Sequence, residues 1–582
     1  MLHQRLAALD PATVAVLQIA AVVGGTFDLD VLLAAAGQDP DDLLDLLDAA
    51  AVAGILVETG DGGLRFAHDL LRETLYGDLP PLRRAQVHAR VVHVLRDRPG
   101  SEVTTVAAHA VAAGPRLPAA EVVGWTAAAA EQAFSRLGFD DAVRWWRHAL
   151  SAQDRLADAD TAGHVQLLLR LVAAQLAAGD AIGALTSRNT AVRAADRSSD
   201  PGLRAAALVA IDEPSLWALR GYDAVDLDMV GRLERALAEP ELSATMRCRL
   251  SATLVNELSY SPDAPTRDRL ADDAVATAQA IGDPGLIGFT LNSRFLAYQA
   301  DPVAWHTHAG PIARELLKLD HRHQLPRLAL LAHLILEPAS VTGYDIATAD
   351  AHAVQVELLL RRLRTPLPAM QHQCWRFNRH VLDGQFDDAR RVLDAVAAAG
   401  LPWWRFEPLL DTTRLGLLWH AGRIDQAEPL LAAVQSVHPA IARDAEILML
   451  VAAGDLDRAT TLARQEAPVI TRDWMWSFAA CLRAAAVATC GDEATRRAMY
   501  RDLIPYTGLI ATTGTTDAGP VDYYLALLTH ALGDPAATAH HLQVLESRSR
   551  QAGLGWWAGR ARLMLEHEPA APNLLNNLTE RG

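Results

Sequence analysis

Apolar residues recur every three or four positions along most of this chain, and the breaks between such stretches are short runs of Gly, Asp and Pro. That pattern predicts helix after helix joined by tight turns. One stretch departs from it: residues 54–67, Gly-Ile-Leu-Val-Glu-Thr-Gly-Asp-Gly-Gly-Leu-Arg-Phe-Ala, set β-prone runs on either side of Asp61-Gly62. This is the signature of a hairpin. Helices are predicted before it over about 10–23, 28–37 and 40–53, and another starts after it at Asp69 to Tyr76. Helices followed by a small hairpin make a winged-helix module.

From about residue 100 a second pattern takes over: a helix ends at Gly, a turn containing Asp follows, and Ala opens the next helix. It recurs as Gly179 to Ala184, Gly384 to Ala389, Gly422 to Ala427 and Gly454 to Ala459, with looser copies at Gly138 and Gly533. Gly supplies the left-handed turn that closes a helix, Asp caps the next one, and Ala lets two antiparallel helices cross closely. In the copy at 384, Phe386, Ala389, Val392, Leu393 and Val396 form one apolar stripe. Glycines 384, 422, 454, 491 and 533 lie 38, 32, 37 and 42 residues apart. This drifts around the period of about 34 of tetratricopeptide repeats. The predicted architecture is all-α: a winged helix over 1–98, then a tetratricopeptide-like α-solenoid over 99–582.

Composition narrows the chemistry. The 582 residues are 51% hydrophobic but only 5% aromatic, as expected of stacked Ala- and Leu-rich helix pairs. Lys318 is the single lysine and has no glycine cradle before it, so the chain holds no phosphate-binding loop of the G-x-x-x-x-G-K-[ST] type. Cys248, Cys374, Cys481 and Cys490 are too scattered for a disulfide framework or a C-x-x-C metal site, which fits a reducing cytoplasm. No apolar run is long enough to span a membrane. The apolar run Val14 to Val23 follows Asp10-Pro11, a helix cap and first helical residue, and reads as a helix and not a secretion signal. The net charge is −17, and residues 1–61 hold ten acidic residues against one basic one, Arg5. Phosphates would repel such a module, so it is expected to meet protein and not nucleic acid.

Arg5 to Pro11 with Val14 to Leu29, the stretch Arg65-Phe-Ala-His-Asp-Leu-Leu-Arg-Glu-Thr-Leu-Tyr76, and Leu82 to Arg90 resemble the segment that follows the nucleotide-binding module in actinobacterial STAND-type signalling ATPases. These include the large ATP-binding LuxR-family transcriptional regulators and their maltose-regulator-like relatives. The repeats at Gly384 and Gly422 and the stretch Tyr523 to Pro535 resemble the helical arm of the same family. The resemblance implies a signalling or transcription-regulator module whose partner is an ATPase or DNA-binding regulator, or whose ligand is a small effector. The Walker lysine of that family's ATPase is missing, so the chain is expected to be the arm alone, either a separate gene or a truncated regulator.

Asp41-Asp-Leu-Leu-Asp45 matches the D-D-x-x-D pattern of helical Mg-dependent terpene synthases, and Asn256 to Asp263 loosely matches their second metal motif. Leu43, Leu44, Leu46 and Leu47 however form a core stripe that leaves the aspartates solvated, and Pro262 breaks the second motif. His306 with His308 and His321 with His323 are spaced two apart and face different sides of a helix, while His540-His541 reads as a surface pair. The expectation is therefore no catalysis, no metal and no cofactor. For binding, Trp beside Arg is common hot-spot chemistry, and solenoids bind on their concave face. Trp375, Arg376, Arg379 and His380 sit on the first helix of the pair that turns at Gly384, and Trp403 and Trp404 follow. These six are the expected ligand or partner contacts.

Overall fold

The computed structural model describes residues 6, 9–59, 63–156, 160–218, 225–261, 263–299, 302–399 and 407–566. The chain divides into two compact units, Met1–Gln175 with Arg193–Arg197, and Leu176–Val192 with Ser198–Gly582.

The first unit opens with the predicted helices, at Pro11–Val23, Leu29–Ala36 and Pro40–Val52. Each begins on an aspartate whose carboxylate accepts a backbone N–H of the first turn: Asp10 from Ala12, Asp28 from Asp30 and Asp39 from Asp41. Strands β2 (Leu56–Glu58) and β3 (Leu64–Phe66) pair antiparallel, with Val57 opposite Arg65. The turn residues Asp61 and Gly62 lie outside the described residues. A strand that the sequence pattern did not reveal, β1 (Thr26–Phe27), adds to the other edge of β3, giving the order β1-β3-β2. Two residues are too few for alternation to register. Phe27 and Phe66 then meet across the sheet at 5.8 Å, and Leu17, Leu32, Leu43, Ile55 and Leu71 close the core without exposure. Asp41, Asp42, Asp45 and Asp48 stand on the exposed side of their helix as expected. The leucine stripe is narrower than predicted: Leu43 and Leu47 are buried, but Leu44 is 39% exposed.

After the helices Asp69–Asp78, Pro81–Leu95 and Val103–Ala113, helices Ala119–Ser135 and Phe139–Gln153 form a pair. Here Leu137, and not Gly138, adopts the positive φ of 62°, at a cost of about 1 kcal/mol for a side chain in the left-handed region. Gly138 instead has φ −88° as the cap of the next helix.

In the second unit six consecutive pairs run from residue 326 to 551. Their first helices are Pro326–Thr342, Pro366–Leu382, Glu407–His420, Pro439–Ala452, Trp476–Cys490 and Val521–Ala531. Their second helices are Ile346–Leu363, Phe386–Ala398, Glu428–Val437, Leu456–Ala463, Glu493–Leu503 and Pro535–Gln551. Gly179, Gly384, Gly422, Gly454 and Gly533 carry the left-handed φ that the repeat pattern demands. Gly491 does not: its φ is −79° and it is extended, so that turn closes without a left-handed residue. The alanines five residues on, Ala184, Ala389, Ala427 and Ala459, have no exposed surface, which confirms the close helix crossing they imply.

The two helix sets differ in how much they bury. Second helices bury one stripe: in Phe386–Ala398 only Ala389, Leu393 and Val396 are fully inside. First helices bury nearly every side, as at Trp476–Cys490, where ten of the residues from Trp476 to Val487 are buried. Something therefore covers their inner face.

Candidate functional site

The cover is supplied by the chain itself. Between the helices Glu493–Leu503 and Val521–Ala531 lies the segment Thr507-Gly-Leu-Ile-Ala-Thr-Thr-Gly-Thr-Thr-Asp-Ala-Gly-Pro520, which folds as strands β4 (Ile510–Thr512) and β5 (Asp517–Pro520) in an antiparallel hairpin with a bulge at Ala511/Thr512. Strand β4 packs on the first helices Pro326–Thr342 and Trp476–Cys490, and β5 on Pro366–Leu382, Glu407–His420, Trp476–Cys490 and Val521–Ala531. Thr515, Thr516, Asp517 and Ala518 are at most 2% exposed.

Polar contacts fix the hairpin's register. Thr516 Oγ1 donates to Thr413 Oγ1 at 3.0 Å. His420 Nε2 donates to the Asp517 carbonyl at 2.7 Å, and burial, the main cause, holds that imidazole neutral by lowering its pKa to about 4. Tyr524 Oη donates to the Ala518 carbonyl at 2.7 Å and accepts from Trp419 Nε1. Gly519, with φ 81°, lies so close to the Trp557 ring that a Cβ there would fall 2.1 Å from it. Trp557 in turn stacks edge-on with Tyr523, Trp556 and His420, and Arg560 lies over the Tyr523 ring at 4.5 Å.

One carboxyl is held in an unusual state. Asp517 is buried, its Oδ1 has no hydrogen-bond partner, and burial pushes its pKa up to about 7 against the Thr512 side chain and the Thr513 amide, which pull it down. The folded chain thus retains a proton that the unfolded chain, with a carboxyl near 3.8, has released. Stability contributed by this group is highest below about pH 4, falls as pH rises to about 7, and is level above. Asp517→Asn is expected to remove that slope and to be the more stable chain at pH 8. Denaturant titrations of both chains at pH 5 and pH 8 test this, and an unchanged difference between them would contradict it.

The hairpin does not fill all the space. Ile510 to Thr513 form one wall of a partly open recess whose other walls are Trp474, Trp476, Tyr506, Asp473, Ser477 and Gln299, with apolar Leu503, Leu509 and Val521 behind. Trp476 meets Tyr506 at 5.0 Å, and Arg472 sits over its ring from outside at 4.8 Å. Trp474 Nε1 donates to Tyr260 Oη at 3.2 Å, so the recess is anchored to a helix pair more than 200 residues earlier in the chain. Asp473, the one carboxylate among its described lining residues, accepts the Met475 amide at 2.8 Å. Among the described residues, three aromatic side chains, hydroxyl and amide groups and one carboxylate suit a ring-bearing molecule that is neutral or singly cationic.

Of the residues expected from sequence, the four described ones, Trp375, Arg376, Arg379 and His380, do not line this recess. Trp375 is buried in the core with Leu382, Leu415 and Trp419. Arg376, the next residue, is exposed and donates to Gln373. Arg379 is held between Asp350, at 3.0 Å, and Asp383, and His380 Nδ1 donates to Gln385 Oε1 at 2.8 Å. The four share a helix but do not converge. Trp403 and Trp404 lie outside the described residues. His541 is no surface residue: it is 2% exposed, with Nδ1 on Asp522 at 2.9 Å and Nε2 on Tyr500 Oη at 3.2 Å. His308 stacks on Tyr298 at 4.5 Å. Among the described residues no group of three or more His, Cys, Asp or Glu side chains is arranged to hold a metal ion, and no helix is long and apolar enough to cross a membrane. The segment that sequence reasoning passed over, 507–520, did carry a signal: β-branched residues around Gly514, in the longest of the glycine spacings.

No protein-family model matches the chain, and no curated protein matches it. Among solved structures it is similar to a Signal Transduction ATPase with Numerous Domains (STAND) protein with a tetratricopeptide repeat sensor from Pyrococcus horikoshii, at 13% identity and TM-score 0.35, over 78% of this chain and 66% of that one. It thus spans just under two thirds of that protein's length. Yeast Tom70 is also similar, at 13% identity and TM-score 0.27, over 79% of this chain and 99% of that one.

Proposed function

We propose that the chain is the non-catalytic sensing arm of a signal-dependent transcription regulator, cytoplasmic, with a winged-helix module over 1–98 and tetratricopeptide-like repeats over 99–582. The observation that carries this reading is the recess beneath the hairpin. A repeat array that bound an extended peptide would keep the inner faces of its first helices open. Here the hairpin covers them and leaves a recess walled by Trp474, Trp476 and Tyr506 with a few polar groups, the mostly apolar, aromatic lining with sparse polar groups that marks small-molecule sites. A ligand there touches β4 directly, so it favours one seating of the hairpin over others and shifts the population of arm conformations. The output passes to a protein, an ATPase or a DNA-binding regulator, through the acidic face of Asp41, Asp42, Asp45 and Asp48, whose charge suits a basic protein surface and repels phosphate.

Tryptophan fluorescence during titration with a panel of neutral nucleosides and mono- and disaccharides tests the ligand. At least one member is expected to quench saturably through Trp474 and Trp476. Ser477→Trp, which fills the recess from its wall, is expected to abolish the quench with the melting temperature preserved. If the panel leaves the fluorescence unchanged, or the filled variant binds as well as the parent, the sensing reading fails. Pull-down with the neighbouring gene products tests the protein partner.

A further inference from the structure

A second recess in the same unit, sharing no residue with the first, is built from charged groups that the core gains nothing by burying alone. It is partly open to solvent and is lined by Arg188, Glu257, Glu213, Asn256, Asn292 and Trp217 among others. Arg188, on the helix Ala181–Ala195, is 1% exposed, the largest buried side chain after Trp557. Its Nη1 donates to Glu257 Oε1 at 2.7 Å and its Nη2 only weakly to Asn189 at 3.4 Å, while Nε has no partner. Glu257 is itself 3% exposed. Opposite, Glu213 pairs with Arg327. The Asn256 side-chain oxygen is also buried without a partner. Asn292 holds the Ser215 segment in place by accepting its amide at 3.0 Å and donating to its carbonyl at 2.7 Å.

A buried guanidinium N–H without an acceptor and a buried amide oxygen without a donor each carry a desolvation penalty. Together they call for an anionic acceptor for Arg188 Nε and a donor for Asn256 Oδ1, on two residues that line the same recess. Among the described residues Arg188 pairs with Glu257 and Glu213 with Arg327, with Asp226 a further acidic group acting on Arg188, so a ligand carrying both charges meets a partner for each, whereas an anion alone would face the carboxylates. Leu185, Ile211, Trp217 and Leu296 add an apolar wall. From this geometry we infer that the recess binds a free α-amino acid with an apolar side chain, its carboxylate on Arg188, its ammonium on Asn256 and the glutamates, and its side chain against Trp217 and Leu296.

Isothermal titration of the full chain with L-leucine, L-isoleucine, L-valine, L-methionine and L-phenylalanine tests the inference. At least one is expected to bind saturably and raise the melting temperature. N-acetyl and carboxamide forms of the same amino acid, each lacking one charge, are expected to bind at least tenfold more weakly. Arg188→Lys is expected to abolish binding. Since that variant disturbs a buried ion pair, Asn256→Leu serves as the second: it removes the unpaired oxygen without touching the pair and is expected to keep the fold while weakening binding at least tenfold. The inference is overturned if none of the five binds the parent chain, if either blocked form binds as tightly as the zwitterion, or if Asn256→Leu binds unchanged. The Ser477→Trp chain retains this binding, so failure of the sensing reading and failure of this one are separate outcomes.

Discussion

Gly519→Ala is expected to unseat the internal hairpin and cost the second unit at least about 3 kcal/mol, the scale of a forced clash in a packed core added to a left-handed backbone penalty. The added methyl would stand 2.1 Å from the Trp557 ring, and Trp557 is 1% exposed with no room to retreat. Gly514, at the tip of the same hairpin with φ 77° and open space around its Cα, is the control. Gly514→Ala incurs only the backbone term, about 1 kcal/mol. The difference between the two variants in denaturant titrations is therefore the worth of the Gly519–Trp557 fit. Hydrogen exchange across Ile510 to Pro520 should rise in the first variant and stay slow in the second. Equal losses in both would mean that the ring contact does not hold the hairpin.

Asp444→Leu is expected to cost about 3–5 kcal/mol, the range for removing one partner from a buried ion pair. Asp444 is 1% exposed on the helix Pro439–Ala452 and receives Arg443 at 3.3 Å and, more closely, Arg483 of the helix Trp476–Cys490. Its carboxyl is pushed up to about 6 by burial, even with both guanidiniums drawing it down. Arg443 also donates to the carbonyls of Leu462, Ala463 and Gln465, closing the end of the helix Leu456–Ala463. Leucine would leave two largely buried cations facing an apolar group. Asp444→Asn, which retains acceptor capacity, should cost less. A midpoint shift for Asp444→Leu equivalent to under 1 kcal/mol would show that water compensates the arginines.

Helix positions, capping aspartates and the glycine-to-alanine repeat were legible because each is a local rule. Ala184, Ala389, Ala427 and Ala459 end up fully buried for the reason their spacing implies. The exceptions are also local. Leu137 takes the turn conformation assigned to Gly138, and Gly491 closes a helix while extended, because neighbouring packing can override a single residue's preference. The candidate site was not legible. Trp375 and Arg379 sit on a first helix, where the concave face was expected to be open. Whether that face is open depends on a segment more than 120 residues further on, and no spacing rule couples the two. Buried ion pairs such as Arg188 with Glu257 and Arg483 with Asp444 join residues 69 and 39 positions apart, equally beyond any local pattern.

A stacked array ordinarily distributes its stability between neighbours, so that its ends fray and its middle survives. The hairpin changes that accounting here. Ser477, Thr413 and His420 all bond to it, Gln299 borders the recess it walls, and Arg548 reaches back 205 residues to the Gly343 carbonyl. Repeats far apart in the sequence thereby depend on a common element. Removing the last pair would not simply shorten the array but would open the interior of pairs far upstream. The unit should melt as one cooperative block, and, with so many contacts between sequence-distant segments, it should fold slowly for a helical protein.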